Sequence, residues 1–164
     1  LGSWTFFLAA TSFIHYLIYI GTIEERGPIS FGHFVRDAVF YKSIAMLNLA
    51  GLSIAYFDPN PISWSLIAIG FGIAGWSAAA LGKARTYYGE ELGFLEPQRI
   101  WKGPYKFLPH PMILGAAVGL FGIWLNDSLR HAHPWLIPTH LMFYGVVLLQ
   151  ELSFHHRFAN AKVS

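Results

Sequence analysis

Five stretches of this chain contain no Asp, Glu, Lys or Arg: residues 1–23, 43–57, 59–82, 107–126 and 131–150. A helix crosses a bilayer with about 20 mostly apolar residues, and spanning backbone must satisfy its own hydrogen bonds. A soluble domain has charge on about a quarter of its residues. Here 12% of 164 residues are charged and 54% are hydrophobic. The pattern therefore predicts an all-α fold, a polytopic membrane helical bundle with four or five membrane helices, built as a single integral-membrane domain over 1–164. The segments at 59–82 and 131–150 are long enough to span. The segment at 111–126 is short and opens at a proline, so it is expected either to cross fully or to lie tilted and partly inserted.

With five crossings, the polar loops at 24–42 and 83–106 and the tail from 151 share one side. That side holds Arg26, Arg36, Lys42, Lys83, Arg85, Arg99, Lys102, Lys106, Arg157 and Lys162, whereas the other holds only Arg130. By the positive-inside rule, the basic side faces the cytoplasm or its topological equivalent. The membrane is left open between the endoplasmic reticulum, the mitochondrial inner membrane and the bacterial inner membrane. The apolar start at Leu1 is not read as a signal peptide. A net charge of +2 gives no reason to expect a nucleic-acid partner, and the lack of cysteine excludes disulfides and thiolate metal sites.

The first helix, about 3–21, carries Trp4, Tyr16 and Tyr19 as expected interfacial anchors. A second, about 39–57, ends before Asp58-Pro59-Asn60-Pro61, a turn that predicts a tight hairpin with the third, about 62–82. The third is dense in small residues (Gly70, Gly72, Gly75, Ser77, Ala78, Ala79, Ala80, Gly82), which lets another helix or a ligand approach its backbone. The connection at 83–110 mixes both charge signs with Tyr87, Tyr88, Phe94, Trp101, Tyr105 and Phe107, a composition that predicts an ordered segment folded against the headgroup layer. Glu24-Glu25 and Glu90-Glu91 are expected to be solvated loop charges, the second pair lying near the candidate site.

Lys102–Gly115, KGPYKFLPHPMILG, leads through Pro109-His110-Pro111 into an apolar helix. Two prolines bar regular helix around His110, and Pro111 suits the first helical position. The exposed N–H groups there can receive an anion. His110, with a reference pKa of about 6.5, suits a general base, or else simply hydrogen-bonds a loop carbonyl. Lys102 and Lys106 are expected to contact headgroups.

Taken in order, Gly70-Phe71-Gly72, His110-Pro111-Met112-Ile113-Leu114-Gly115 and Gln150-Glu151, followed by Phe158, resemble the motif set of the small integral-membrane methyltransferases. The similarity covers about 60–160. It is closest to the phosphatidylethanolamine N-methyltransferase type of the phospholipid methyltransferase family and more distant from the isoprenylcysteine carboxyl methyltransferases. The resemblance implies S-adenosylmethionine as cofactor, held by Gly70, Gly72, Tyr105, Pro111, Gly115, Gln150 and Glu151. It also implies His110 as the catalytic base, no metal, and membrane phospholipids as partners, with N-methylation of an ethanolamine phospholipid as the expected reaction. Three residues depart from the pattern: Pro109 stands in place of Arg, Ile113 in place of Tyr, and Gln150 in place of the first Glu of an acidic pair. Gln keeps hydrogen-bonding capacity but loses a negative charge.

Two other readings fit the residues. A chain with degraded motifs can serve as a non-catalytic, methyltransferase-like structural subunit, with other subunits of a membrane complex as partners. Eight histidines, with His15 and His140 inside predicted spans, also fit a haem-binding membrane redox subunit.

Overall fold

A computed structural model describes residues 2–25 and 30–161, with side chains described for 2–21 and 30–153. Arg26 and Lys162 lie outside the described residues, as do the side chains of Glu24, Glu25, His155, His156, Arg157 and Phe158. The described elements are α1 (Gly2–Thr11), α2 (Ile14–Glu25), α3 (Phe31–Ala55), α4 (Pro61–Leu81), α5 (Lys83–Thr86), a 3₁₀ turn (Gly103–Lys106), α6 (Pro111–Trp124), α7 (Asp127–Ala132) and α8 (Leu136–Ala161). Among the described residues there is no strand. Four segments are long and apolar enough to cross a membrane: Gly2–Gly21, Phe31–Ala55, Pro61–Leu81 and Leu136–Ser153. The all-α membrane bundle expected from the charge pattern is the fold observed.

The first crossing is bent where α1 passes to α2. Ser12 Oγ bonds back to the Ala9 carbonyl at 2.6 Å and also meets His140 Nε2 at 2.9 Å. A serine that bonds to its preceding turn bends a helix, and this one also ties the bend to α8.

Three predicted boundaries differ. Residues 31–38, read as loop because of Arg36 and Asp37, are the first turns of α3, capped by Ser30, with the Arg36–Asp37 pair exposed. The last crossing begins at Leu136, because His133 and Pro134 separate it from α7. Gln150-Glu151 lies inside α8, which continues to Ala161.

The turn at 56–60 does join α3 to α4, but the two helices enclose a large cavity instead of pairing closely. The closest partner of α4 is the antiparallel α6. A Cβ on Gly70 would stand 2.2 Å from Gly119 N, and one on Gly122 would stand 2.7 Å from Ile67 N. Ser63 Oγ donates to the Gly122 carbonyl at 2.7 Å. Side chains that small let the backbones touch, so packing is tight without an apolar driving force from lipid.

With 14 residues, α6 is about 21 Å long. It nevertheless ends level with the start of α4, where Asn126 Nδ2 donates to the Tyr56 carbonyl at 2.8 Å and Asp127 N donates to Asp58 Oδ2 at 3.1 Å. The chain thus makes five antiparallel passes, with Asp58, Asp127 and Arg130 at one end and the basic loop at the other.

Candidate active site

At the basic end, α4 stops at Gly82, whose φ of 81° a side chain would resist. The chain then folds back on itself in the connection that the sequence predicted to be ordered. Arg85 Nε donates to Glu90 Oε1 at 2.5 Å and Arg85 Nη2 to Gln98 Oε1 at 3.2 Å, while Gln98 N donates to Glu90 Oε1 at 3.3 Å. Glu90 is therefore not a solvated charge: it is buried and pins both ends of the loop together. The 3₁₀ turn packs beside the end of α4, where Gly103, at φ 53°, fits against Trp76 and Ala80.

Pro109-His110 then turns the chain into α6. His110 is the N-cap, with a left-handed backbone (φ 46°, ψ 49°), and its side chain does not cap the helix. Instead Nδ1 reaches across to Glu151 of α8, 3.4 Å from Oε2. Tyr88, at φ 60°, is the other non-glycine residue with positive φ among the described residues. Such conformations cost of order 1–3 kcal/mol each and gather at functional sites.

These elements enclose a polar cavity of about 360 Å³, within the usual range for small-molecule sites. It is lined by Arg85, Glu91, Arg99, Tyr105, His110 and Glu151, with Pro109, Met112 and Ile113 among the others. The Glu151 carboxylate beside His110 raises the imidazole above its usual range, against burial, which lowers it. Burial, with help from the Glu151 and Glu90 charges, raises Glu91 to about 7. Burial and Glu151 raise Tyr105 to about 12, so its phenol stays neutral.

Of the residues singled out in the sequence, Tyr105, His110 and Glu151 meet around this cavity, and Pro111 opens the helix at its edge. Gly70 and Gly115 face one another in the α4–α6 contact: a Cβ on Gly115 would lie 2.7 Å from the Gly70 carbonyl. Gly72 has open space around it. Gln150 stands outside the cavity lining, and its Oε1 is buried without a hydrogen-bond partner among the described residues.

Sequence reasoning missed Glu91, Arg85 and Arg99 as cavity residues. The signal present was the acidic pair of Gly89-Glu90-Glu91 within an aromatic loop. Both glutamates line the cavity, Glu90 with its carboxylate held by Arg85.

A second, apolar cavity of about 510 Å³ lies between α3, α4, α6 and α8. Thr86 and Met112 line both cavities, so the two adjoin. His15 and His140 also line the apolar one, but both ring nitrogens of His140 are engaged, by Ser12 Oγ at 2.9 Å and Tyr16 Oη at 3.1 Å. The Tyr16 ring lies against His15, tilted by 37° with centroids 3.8 Å apart. That arrangement is a satisfied polar cluster with no imidazole nitrogen of His140 left for an iron.

Fold and site together define a multi-pass membrane protein whose polar chamber, at one end of the bundle, adjoins an apolar groove between its helices. The chain belongs to the phospholipid methyltransferase family, which it matches over residues 61–157. That span runs from the first residue of α4 into α8 and contains the whole polar cavity. Members of this family generally take their methyl group from S-adenosylmethionine. No curated protein and no solved structure matches the chain.

Proposed function

We propose that this protein methylates the amine of an ethanolamine phospholipid, using S-adenosylmethionine, at the basic face of the membrane. The observation that carries the reading is the junction of the two cavities at Thr86 and Met112. An amphiphile placed there has its tails in the apolar groove and its headgroup beside Glu91, His110 and Glu151.

The residues present fit the cofactor. Glu91 suits its amino group, Arg99 suits its carboxylate, and Tyr105 offers a ring face for the adenine. The buried, unpartnered Gln150 Oε1 is one more acceptor near the same end of α8. When bound, the cofactor supplies a methyl group on a positively charged sulfur.

The chain's own residues manage charge and protons. An ethanolamine headgroup arrives as an ammonium and must lose one proton before its nitrogen lone pair can form the new C–N bond. His110 accepts that proton, and Glu151 stabilises the resulting imidazolium, as a carboxylate does in other paired-base sites. Leu81, Ile100 and Ile113 line the cavity beside these groups and lower the local dielectric, which strengthens each of these interactions. Positioning for in-line displacement supplies the rest of the rate.

The test is transfer of labelled methyl from S-adenosylmethionine into lipid by protein reconstituted with phosphatidylethanolamine, with Glu151→Ala as control. Incorporation that disappears in the variant is the expected result. No incorporation by folded protein, with other acceptors also tried, would overturn the reading in favour of a structural subunit.

A further inference from the structure

Lys42 is the one formally charged side chain lining the apolar groove. It projects from α3, which precedes the family-matched span, so nothing in that match assigns it a role. Its groove neighbours include Val39, Ser43, Ala78 and Thr86, none of them charged. No carboxylate pairs with it among the described residues; its ammonium faces the Tyr87 ring at 5.8 Å from the centroid. An ionised group inside a membrane segment is costly, faces a cavity as a rule, and marks a substrate path. Tyr87 follows Thr86, one of the two residues shared by both cavities, so Lys42 stands where the groove meets the polar chamber.

We propose that Lys42 binds the phosphodiester of a diacyl phospholipid at this junction, with the acyl chains along the groove and the headgroup amine turned toward His110 and Glu151. The arrangement matches charges pair by pair. The lysine meets the phosphate, Glu151 meets the ammonium, and Ala74, Gly75 and Ala78 give the chains a flat wall on α4. The inference builds on the phospholipid reading above and adds the side chain that would tell a phospholipid from a phosphate-free amphiphilic amine.

The experiment measures lipid retention on purified full-length protein by native mass spectrometry, without turnover. Dioleoyl phosphatidylethanolamine is compared with a dioleoylglycerol ether of ethanolamine that lacks phosphate, and inorganic phosphate is added as competitor. Lys42→Met and Lys42→Gln should weaken phosphatidylethanolamine retention about tenfold, Lys42→Arg should keep it, and the phosphate-free lipid should bind all four proteins alike. Unchanged retention in the variants, or equal loss of both lipids, overturns the proposal. Displacement of the lipid by inorganic phosphate overturns it too, since the site would then be one for free anions. If Lys42→Met fails to fold, the Gln and Arg variants decide the same question. Lys42-dependent retention without methyl transfer supports the proposal and removes the methylation reading. Methyl transfer with an unchanged lipid KM in Lys42→Gln does the reverse.

Discussion

Gly70→Ala and Gly72→Ala differ by two positions in one helix, and the structure assigns them opposite outcomes. At Gly70 the added Cβ would lie 2.2 Å from Gly119 N and 2.7 Å from the Gly115 carbonyl, both backbone atoms that no rotamer change can move. A comfortable contact needs about 3.5 Å, so α4 and α6 would have to part by about 1 Å at their crossing, and a gap of that size forfeits a quarter to a half of each contact it opens. Overpacking of this kind costs about 1–3 kcal/mol, which in a chain of this length lowers the unfolding midpoint by about 3–10 °C. At Gly72 nothing lies within 4 Å, and alanine gains about 1 kcal/mol of helix propensity there. Thermal unfolding in detergent, read by tryptophan fluorescence, should show Gly70→Ala falling and Gly72→Ala holding or rising. Because α6 carries His110 at its first turn, Gly70→Ala should also slow methyl transfer by widening the 3.4 Å approach to Glu151. A Gly70→Ala protein with an unchanged midpoint and lost cofactor affinity would refute this reasoning, since the glycine would then be meeting a ligand and not a helix.

The remaining predictions concern charge and capping. His110 holds its proton to higher pH than an ordinary imidazole because of Glu151, so the acidic limb of the pH–rate profile should have its midpoint above about 6.5. Glu151→Gln should move that midpoint down in pH while lowering the maximal rate; a midpoint that stays put would remove Glu151 as the cause. Glu91, raised to about 7, becomes charged only as pH rises through that value, so cofactor affinity should increase across it. Glu91→Gln should flatten that dependence and weaken binding about tenfold, as read by calorimetry. Asn126→Ala removes the acceptor for Leu129 N and the donor to the Tyr56 carbonyl at the far end of the bundle. It should cost about 1–3 kcal/mol of stability and leave cofactor affinity unchanged in the folded protein.

Much of the architecture was legible because membrane spans are written in absent charges, and the basic loops marked one end of the bundle. Boundaries failed where charge and helix coincide. Arg36 and Asp37 sit on the first turns of α3 because long side chains at a helix end reach the headgroups without leaving the helix. The short turn at 56–60 predicts a tight hairpin, yet turn length fixes only where two helices start; α4 packs on α6, and a cavity opens between α4 and α3. His110 and Glu151 stand out in the sequence because prolines and a helix-end acid leave local signs, and the fold brings the two side chains together at the cavity. Glu91 does not, because nothing local separates it from Glu90. Only the fold shows that Arg85 holds the Glu90 carboxylate at the cavity wall while Glu91 lines the same cavity.

The brevity of α6 ties these features into one design. Its partner α4, at 21 residues, is about 32 Å long against about 21 Å for α6, which ends near the start of α4 at the sparsely charged end. Gly115 packs on Ile73 and Ala74, so Pro111 stands about a turn short of the end of α4, and the 3₁₀ turn and Phe107–His110 replace helix at the basic end. An irregular backbone at that depth is tolerated only where protein or a polar cavity satisfies it. The chamber is that cavity: it exists because Pro111 delays the helix, and Glu151 lines it because α8 continues past the level at which α6 begins. Extending α6 by replacing Pro109 and Pro111 would fill the space with backbone, so the two prolines that stop the helix are what place the His110 imidazole beside Glu151 at the chamber.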